Sequence, residues 1–375
     1  MPSSDRPGLA AFDAIRTFHA DLTAIRQDIH AHPELGMEEH RTAELVARQL
    51  ESYGLEVHRG IGGTGVVGVL RSGNGHASIG LRADMDALPI EEVNDLPYRS
   101  RSAGRMHACG HDGHTTMLLG AARYLSQSRD FNGTVNFIFQ PGEEGCGGAL
   151  AMLDDGLFER FPCDTIFGMH NSPGMPIGQF AICPGTAMAG GAFFDITITG
   201  KGSHGANPSQ SIDPVLAACH IGTALQSVIA RNMPPADMGV LSITRIVSGD
   251  AYNVIPQTAV MGGTARTMKR ETMTLIEDSM KRVVAGVAGG LGATAEVDFR
   301  MIFAPLVNAA EPTTAIAGAA AELVGEDRVN RRKAPANASE DFSFMLEKVP
   351  GAYINLGNGE ASAPVHNHRY NFNDE

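Results

Sequence analysis

Four short apolar runs in this chain each stop at residues that bind protons or metal ions, and that arrangement restricts the fold more than any other feature. Ile79-Gly-Leu-Arg leads into Asp84 and Asp86, and Thr134-Val-Asn-Phe-Ile-Phe into Gln140-Pro-Gly-Glu143-Glu144. Asp164-Thr-Ile-Phe-Gly-Met leads into His170, and Ala352-Tyr-Ile-Asn-Leu into a glycine loop followed by His366. Between the first two runs, Met117, Leu118, Ala121, Ala122 and Leu125 recur at helical spacing. Strands alternating with helices predict an α/β sheet, and such sheets bind ligands at the carboxyl ends of their strands.

The densest chemistry lies in one loop, His107-Ala-Cys109-Gly-His111-Asp112-Gly-His114. Thiol and imidazole together suit a borderline divalent metal such as zinc, manganese, nickel or cobalt. Cys109 and His111 are two apart in a glycine-loosened loop, so both side chains can turn to one point. Glu143 and Glu144 are adjacent, so their carboxylates point differently; one can hold metal while its neighbour serves as a general base. Gly142 and Gly145 flank the pair and favour close approach of the backbone. His170 and His366 would complete the set. His107, Asp112 and His114 are expected to position the loop and start the following helix, and His30 and His32 to pack or bond where a helix breaks.

The segment 10–53 is helical in pattern, interrupted at His32-Pro33 and closed by Gly54. From about Gly190 the pattern changes. Phe194, Ile196 and Ile198 alternate with polar residues, a helix follows Pro214, and two strands (240–247 and 258–267), a helix (273–288) and a strand (294–303) complete a β-α-β-β-α-β order. This ferredoxin-like unit is expected to be inserted, because the glycine loop and His366 beyond it belong with the first part. The expected division is a catalytic domain of 1–188 and 303–375 around an inserted domain of 189–302; elements within 305–340, rich in alanine and charge, are only coarsely legible.

A net charge of −13 argues against a nucleic-acid partner. No apolar stretch reaches the roughly 18 residues needed to span a bilayer. Residues 1–9 are polar, with Pro2 and Pro7, and lack the apolar core of a secretion signal. Five cysteines without a C-x-x-C pair fit a reducing compartment, so a cytoplasmic location is expected.

Taken together, the His107–His114 run, Gln-Pro-Gly-Glu-Glu-Gly, Gly-Met-His-Asn, Leu-Arg-Ala-Asp-Met-Asp-Ala-Leu-Pro and Val-His-Asn-His-Arg-Tyr-Asn-Phe-Asn-Asp resemble the M20 metallopeptidase family. The closest likeness is to its amidohydrolase branch of hippurate hydrolases, aminoacylases and auxin-conjugate hydrolases. The resemblance runs from His30 to the last residue. It implies a mixed-sheet, zinc-peptidase-like catalytic domain with an inserted ferredoxin-like lid and dimerisation domain. It also implies two divalent ions ligated by Cys109, His111, Glu144, His170 and His366, with Glu143 as general base and Asp84 and Asp86 beside the ions. His204, in Gly-Lys-Gly-Ser-His-Gly, matches the histidine that reaches the other subunit's site of a homodimer to stabilise an oxyanion. Asn253 and Arg266 match positions that hold a substrate carboxylate. The implied reaction is hydrolysis of an N-acyl amino acid or a similar small conjugate. Ser209, His368 and Asn371 depart from the common family residues; Ser209 bears on substrate range.

Other readings compete. Within the same chemistry stand a dipeptidase and a deacetylase of an N-acetylated biosynthetic intermediate. A hydrolase using Cys109 as nucleophile would leave Glu143 and Glu144 without a role. A structural or storage metal protein would favour paired cysteines, which are absent.

Overall fold

The computed structural model describes residues 7–375. The expected absence of a secretion signal concerns 1–9 and falls largely outside the described residues. No described helix is long and apolar enough to cross a membrane. The chain divides into two compact units, one of 1–187, 307–334 and 341–375, the other of 188–306 and 335–340.

The first unit is built on an eight-stranded mixed sheet. Its strands, in spatial order, are Glu56–Ile61, Gly65–Ser72, Gly133–Gln140, Ser78–Asp84, Thr165–Ser172, Gly351–Gly357, Phe180–Ala181 and Val329–Asn330. The four central strands run parallel, Gly133–Gln140 with Ser78–Asp84, the latter with Thr165–Ser172, and that with Gly351–Gly357. Parallel pairing brings their carboxyl ends to one edge, so the polar residues that end the apolar runs become neighbours. Central strands are covered on both faces and therefore read as continuous apolar runs. Phe137, Ile138 and Phe139 are all fully buried, and Phe137 and Phe139 share a core with Leu118, Leu119, Val46 and Leu50 from the helices His111–Ser128 and His40–Ser52.

The N-terminal helical stretch holds one break that the pattern does not show. Pro7–Arg16 ends, and His19–Ala31 begins, at Thr17-Phe18. The Thr17 hydroxyl donates to the Ala14 carbonyl at 2.7 Å and the Phe18 amide to Ile15 at 3.1 Å, tightening the last turn. Phe18 is thereby buried beneath the Arg123 guanidinium, 4.2 Å from its ring centre. Both flanking segments are good helix formers, which is why the spacing alone reads through the turn.

The second unit is a four-stranded antiparallel sheet ordered Gly239–Val247, Thr258–Thr267, Gly190–Thr199, Thr294–Phe303, with helices Pro214–Ser227 and Arg270–Gly290. Phe194, Ile196 and Ile198 turn inward onto Ile221, Leu225, Ile276 and Met280, while Phe193 and Asp195 face away, as period-2 alternation requires. Asp213 caps the first helix by accepting from the Val215 and Leu216 amides at 2.8 and 3.2 Å, with Pro214 opening the helix.

Candidate metal centre

At the carboxyl edge of the parallel strands, overlapping groups of side chains converge, among them Cys109 with His111 and His170, Cys109 with Glu144 and His366, His111 with Glu143 and Glu144, and His111 with Asp84 and His114. Within each group the ligand atoms lie no more than 4.8 Å apart. Cys109 and His111 come from the loop before the His111–Ser128 helix, Glu143 and Glu144 from the turn after Gly133–Gln140, and His170 from the end of its strand.

The loop takes its course because Gly110 sits at φ +102°, a region closed to most side chains. A β-carbon there would collide with the Asn171 amide and the Tyr370 hydroxyl. Asn171 ties the loop to the neighbouring strand, its side-chain amide donating to the Cys109 carbonyl at 2.6 Å and its oxygen accepting from Tyr370 at 2.9 Å. The acidic turn is held from behind by Glu39. That fully buried carboxylate accepts from the Gly142 amide at 2.8 Å, the Met37 amide at 3.0 Å and the Thr64 hydroxyl at 2.5 Å.

The histidine tautomers follow from these bonds. His170 Nδ1 lies 2.6 Å from the Asn171 carbonyl oxygen and so carries the proton, which leaves the lone pair of Nε2 facing Cys109 Sγ at 3.4 Å. Burial pushes His170 down to about 3, so the ring is neutral. His111 donates from Nδ1 to Asp86 at 3.1 Å, leaving Nε2 buried with no hydrogen-bond partner. The other Asp86 oxygen accepts the Glu144 amide at 3.0 Å, so one carboxylate orients both residues. Glu144 Oε1 is likewise buried, and its ion-pair partner is His366, whose Nε2 lies 3.0 Å away; Cys109 and Glu144 together raise His366 to about 10. Buried acceptors are normally paired. A buried ring nitrogen without a hydrogen bond, beside a carboxylate, a thiol and two further imidazoles, belongs to a donor set that fits a borderline divalent metal.

His114 shares the helix start but is fully engaged, with Nδ1 2.6 Å from Asp84 and Nε2 accepting from the Asn171 amide at 3.1 Å. Asp84 also accepts from Arg82 at 2.7 Å, and although burial opposes ionisation, His111, His114 and Arg82 hold it well below the usual carboxylate range. His107 is buried, has no hydrogen-bond partner for either ring nitrogen and joins none of the converging groups; burial lowers it to about 4. His30, expected to pack or bond where a helix breaks, lies in the last turn of His19–Ala31 and is wholly buried, 2.8 Å from Asp112 and 3.3 Å from Glu92.

His30 yields a pH prediction. Burial alone would lower its pKa, but Asp112 and Glu92 raise it to about 9 from an ordinary 6.5. A pKa raised on folding contributes stability that is complete below about 6.5 and is lost as pH rises through about 9, on the order of 3 kcal/mol in all. The metal-free protein is therefore expected to lose thermal stability between pH 7 and 10, with a shallower slope in His30→Gln. Equal slopes by calorimetry would refute this.

His204, Asn253 and Arg266 lie in the second unit. Ser203–His204 pairs with Val254–Ile255, and the Gly205 amide donates to the Asn253 carbonyl at 2.7 Å, so His204 and Asn253 are neighbours. His204 is exposed, and its Nδ1 accepts from the Ala206 amide at 3.1 Å, which places the ring proton on Nε2 as an outward donor. Arg266 is half-buried and donates to Thr264 Oγ1 at 2.6 Å and the Ala265 carbonyl at 3.0 Å.

Residues 80–375 match the model of peptidase family M20/M25/M40. A hippurate hydrolase of Campylobacter jejuni is 43% identical over 96% of this chain and 94% of its own. An N-acetylcysteine deacetylase of Bacillus subtilis is 40% identical over 92% and 90%. A crystal structure from Bacillus subtilis, described as a dinuclear metal-binding peptidase from the M20 family, superposes with a TM-score of 0.82 at 35% identity, covering 96% of this chain and 94% of that one. With a donor set suited to divalent metal and relatives that match almost end to end, the chain belongs to peptidase family M20/M25/M40 and is a metal-dependent amidohydrolase.

Proposed function

We propose that this enzyme hydrolyses the amide bond of N-acyl amino acids or closely similar conjugates, with two divalent ions held by Cys109, His111, Glu144, His170 and His366. The observation carrying this reading is the convergence of those donors in overlapping groups at one sheet edge, which Glu143 joins beside His111 and Glu144. Zinc, manganese, nickel and cobalt all suit the donor set. When bound, such ions polarise an amide carbonyl and acidify water. Glu143 then accepts the proton of the attacking water and passes it to the leaving amine. His204, reaching the centre from the second subunit of a homodimer, donates from Nε2 to the developing oxyanion. Asp84 and Asp86 orient ligands. The five free cysteines support a cytoplasmic location.

Arg266 and Asn253 would hold the substrate's free carboxylate, a role suited to a guanidinium fork. Assays of N-benzoyl and N-acetyl amino acids against their methyl esters, with manganese, zinc, cobalt or nickel added, test the reading. The acids are expected to be substrates and the esters poor ones. Arg266→Ala should raise KM for the acids about 10- to 100-fold, equivalent to a charge-assisted bond of roughly 1.5–3 kcal/mol, and erase the preference over esters. Equal turnover of acids and esters by the unsubstituted enzyme would refute the carboxylate clamp. No hydrolysis of any acyl amino acid would refute the substrate class.

A further inference from the structure

Arg26 carries a guanidinium that is 1% exposed, deep in the first unit and outside the converging donor groups. Its Nε and Nη2 each donate to Asp374 at 2.6 Å, a two-pronged fork, and Nη1 reaches Asp112 at 3.2 Å. Gln27 adds a bond to the same Asp374 carboxylate at 3.1 Å, and the guanidinium lies 4.6 Å from the Tyr98 ring centre. A buried cation is tolerated only when so fully paired. The two carboxylates it joins flank the candidate metal centre: Asp112 follows His111, and Asp374 ends the segment that begins at His366.

That segment is laid across the His107–His114 loop. The His366 amide donates to the Ala108 carbonyl at 2.7 Å, Tyr370 is wholly buried against Asn171, and the Phe372 ring covers Gly113 so closely that no β-carbon would fit. His366 itself sits at φ +61°, an unfavourable conformation for a residue other than glycine, and its side chain is 52% exposed. Such strain persists only where the surroundings impose it.

We propose that Asp374, Arg26 and Asp112 form a clasp that docks this segment and so holds His366 in register with Cys109. Arg26 and Asp374 are positioning residues for the His366 side of the centre. The inference rests on the reading of His366 as a metal ligand.

The test uses full-length protein carrying Asp374→Asn, Arg26→Lys, His366→Ala or Asp374→Asn with His366→Ala. Manganese stoichiometry and affinity are measured by elemental analysis and chelator competition, with far-ultraviolet circular dichroism as a fold control. Asp374 is partly exposed, so Asp374→Asn keeps the test open should a change at buried Arg26 prevent folding. Asp374→Asn is expected to weaken one manganese ion about 10- to 100-fold, the range for groups that orient ligands, while the other stays bound. The double variant should lose no more than His366→Ala alone, because the clasp acts through that ring. Unchanged affinity for both ions in Asp374→Asn, or additive losses in the double variant, overturns the clasp. Retention of both ions by His366→Ala instead overturns the ligand reading, and the clasp with it.

Discussion

Glu143→Gln is expected to reduce kcat about 10²- to 10⁴-fold while KM and metal content stay close to those of the unsubstituted enzyme. The substitution keeps the shape of a buried side chain and removes only its ability to take a proton. The division of labour between the two adjacent carboxylates comes from the turn that presents them. Gly142 at φ +55° and Gly145 at φ +78° reverse the chain sharply after the strand, and Glu39 pins the Gly142 amide. Glu144 Oε1 thereby comes within 3.0 Å of His366, among the donors gathered at Cys109, whereas Glu143 joins the cluster on its His111 side. Loss of turnover with metal retained, measured by steady-state kinetics alongside elemental analysis, supports Glu143 as the base. A variant that loses metal in proportion to activity would make Glu143 a ligand, and one with undiminished kcat would remove it from the reaction.

The sheet was legible because its central strands are buried on both faces and break sharply at polar residues, so run length and termination both carried signal. The second unit was legible because one sheet face is exposed and residues alternate, as at Phe194, Ile196 and Ile198. What pattern could not supply was pairing across the chain. Asp86 steering both His111 and Glu144, Glu39 pinning the acidic turn, and Arg26 joining Asp112 to Asp374 are contacts between distant positions with no periodic signature. The eight-residue loop showed the opposite limit. Five side chains of similar metal-binding chemistry stand together, and only hydrogen bonds at the other ends of the rings separate them. His114 is consumed by Asp84 and Asn171, whereas His111 is turned by Asp86 so that its second nitrogen is left over.

Exhaustive chelation is expected to abolish hydrolysis, and adding back a divalent ion to restore it. Carbonyl polarisation and water activation together supply several kcal/mol, and at about 1.4 kcal/mol per tenfold the loss is on the order of 10⁴-fold. The same treatment separates the metal reading from a cysteine nucleophile, for which chelation is harmless. Such a nucleophile needs a thiolate and a base beside it. Burial pushes the Cys109 thiol up, away from the ionised form, and His170 at 3.4 Å already uses Nδ1 on a carbonyl and is too weakly basic to take the thiol proton, which leaves His111 and His366 as the bases such a nucleophile would need. Cys109 would hold a divalent cation as thiolate and His111 and His170 as neutral imidazoles, so metal affinity is also expected to fall as pH is lowered. His170→Ala removes one donor from the Cys109 and His111 group and should therefore behave like partial chelation, with lost metal and lost turnover that excess metal partly restores. Full activity in the chelated protein, confirmed metal-free by elemental analysis, would return Cys109 to the role of nucleophile and leave the Glu143-Glu144 pair without chemistry to perform.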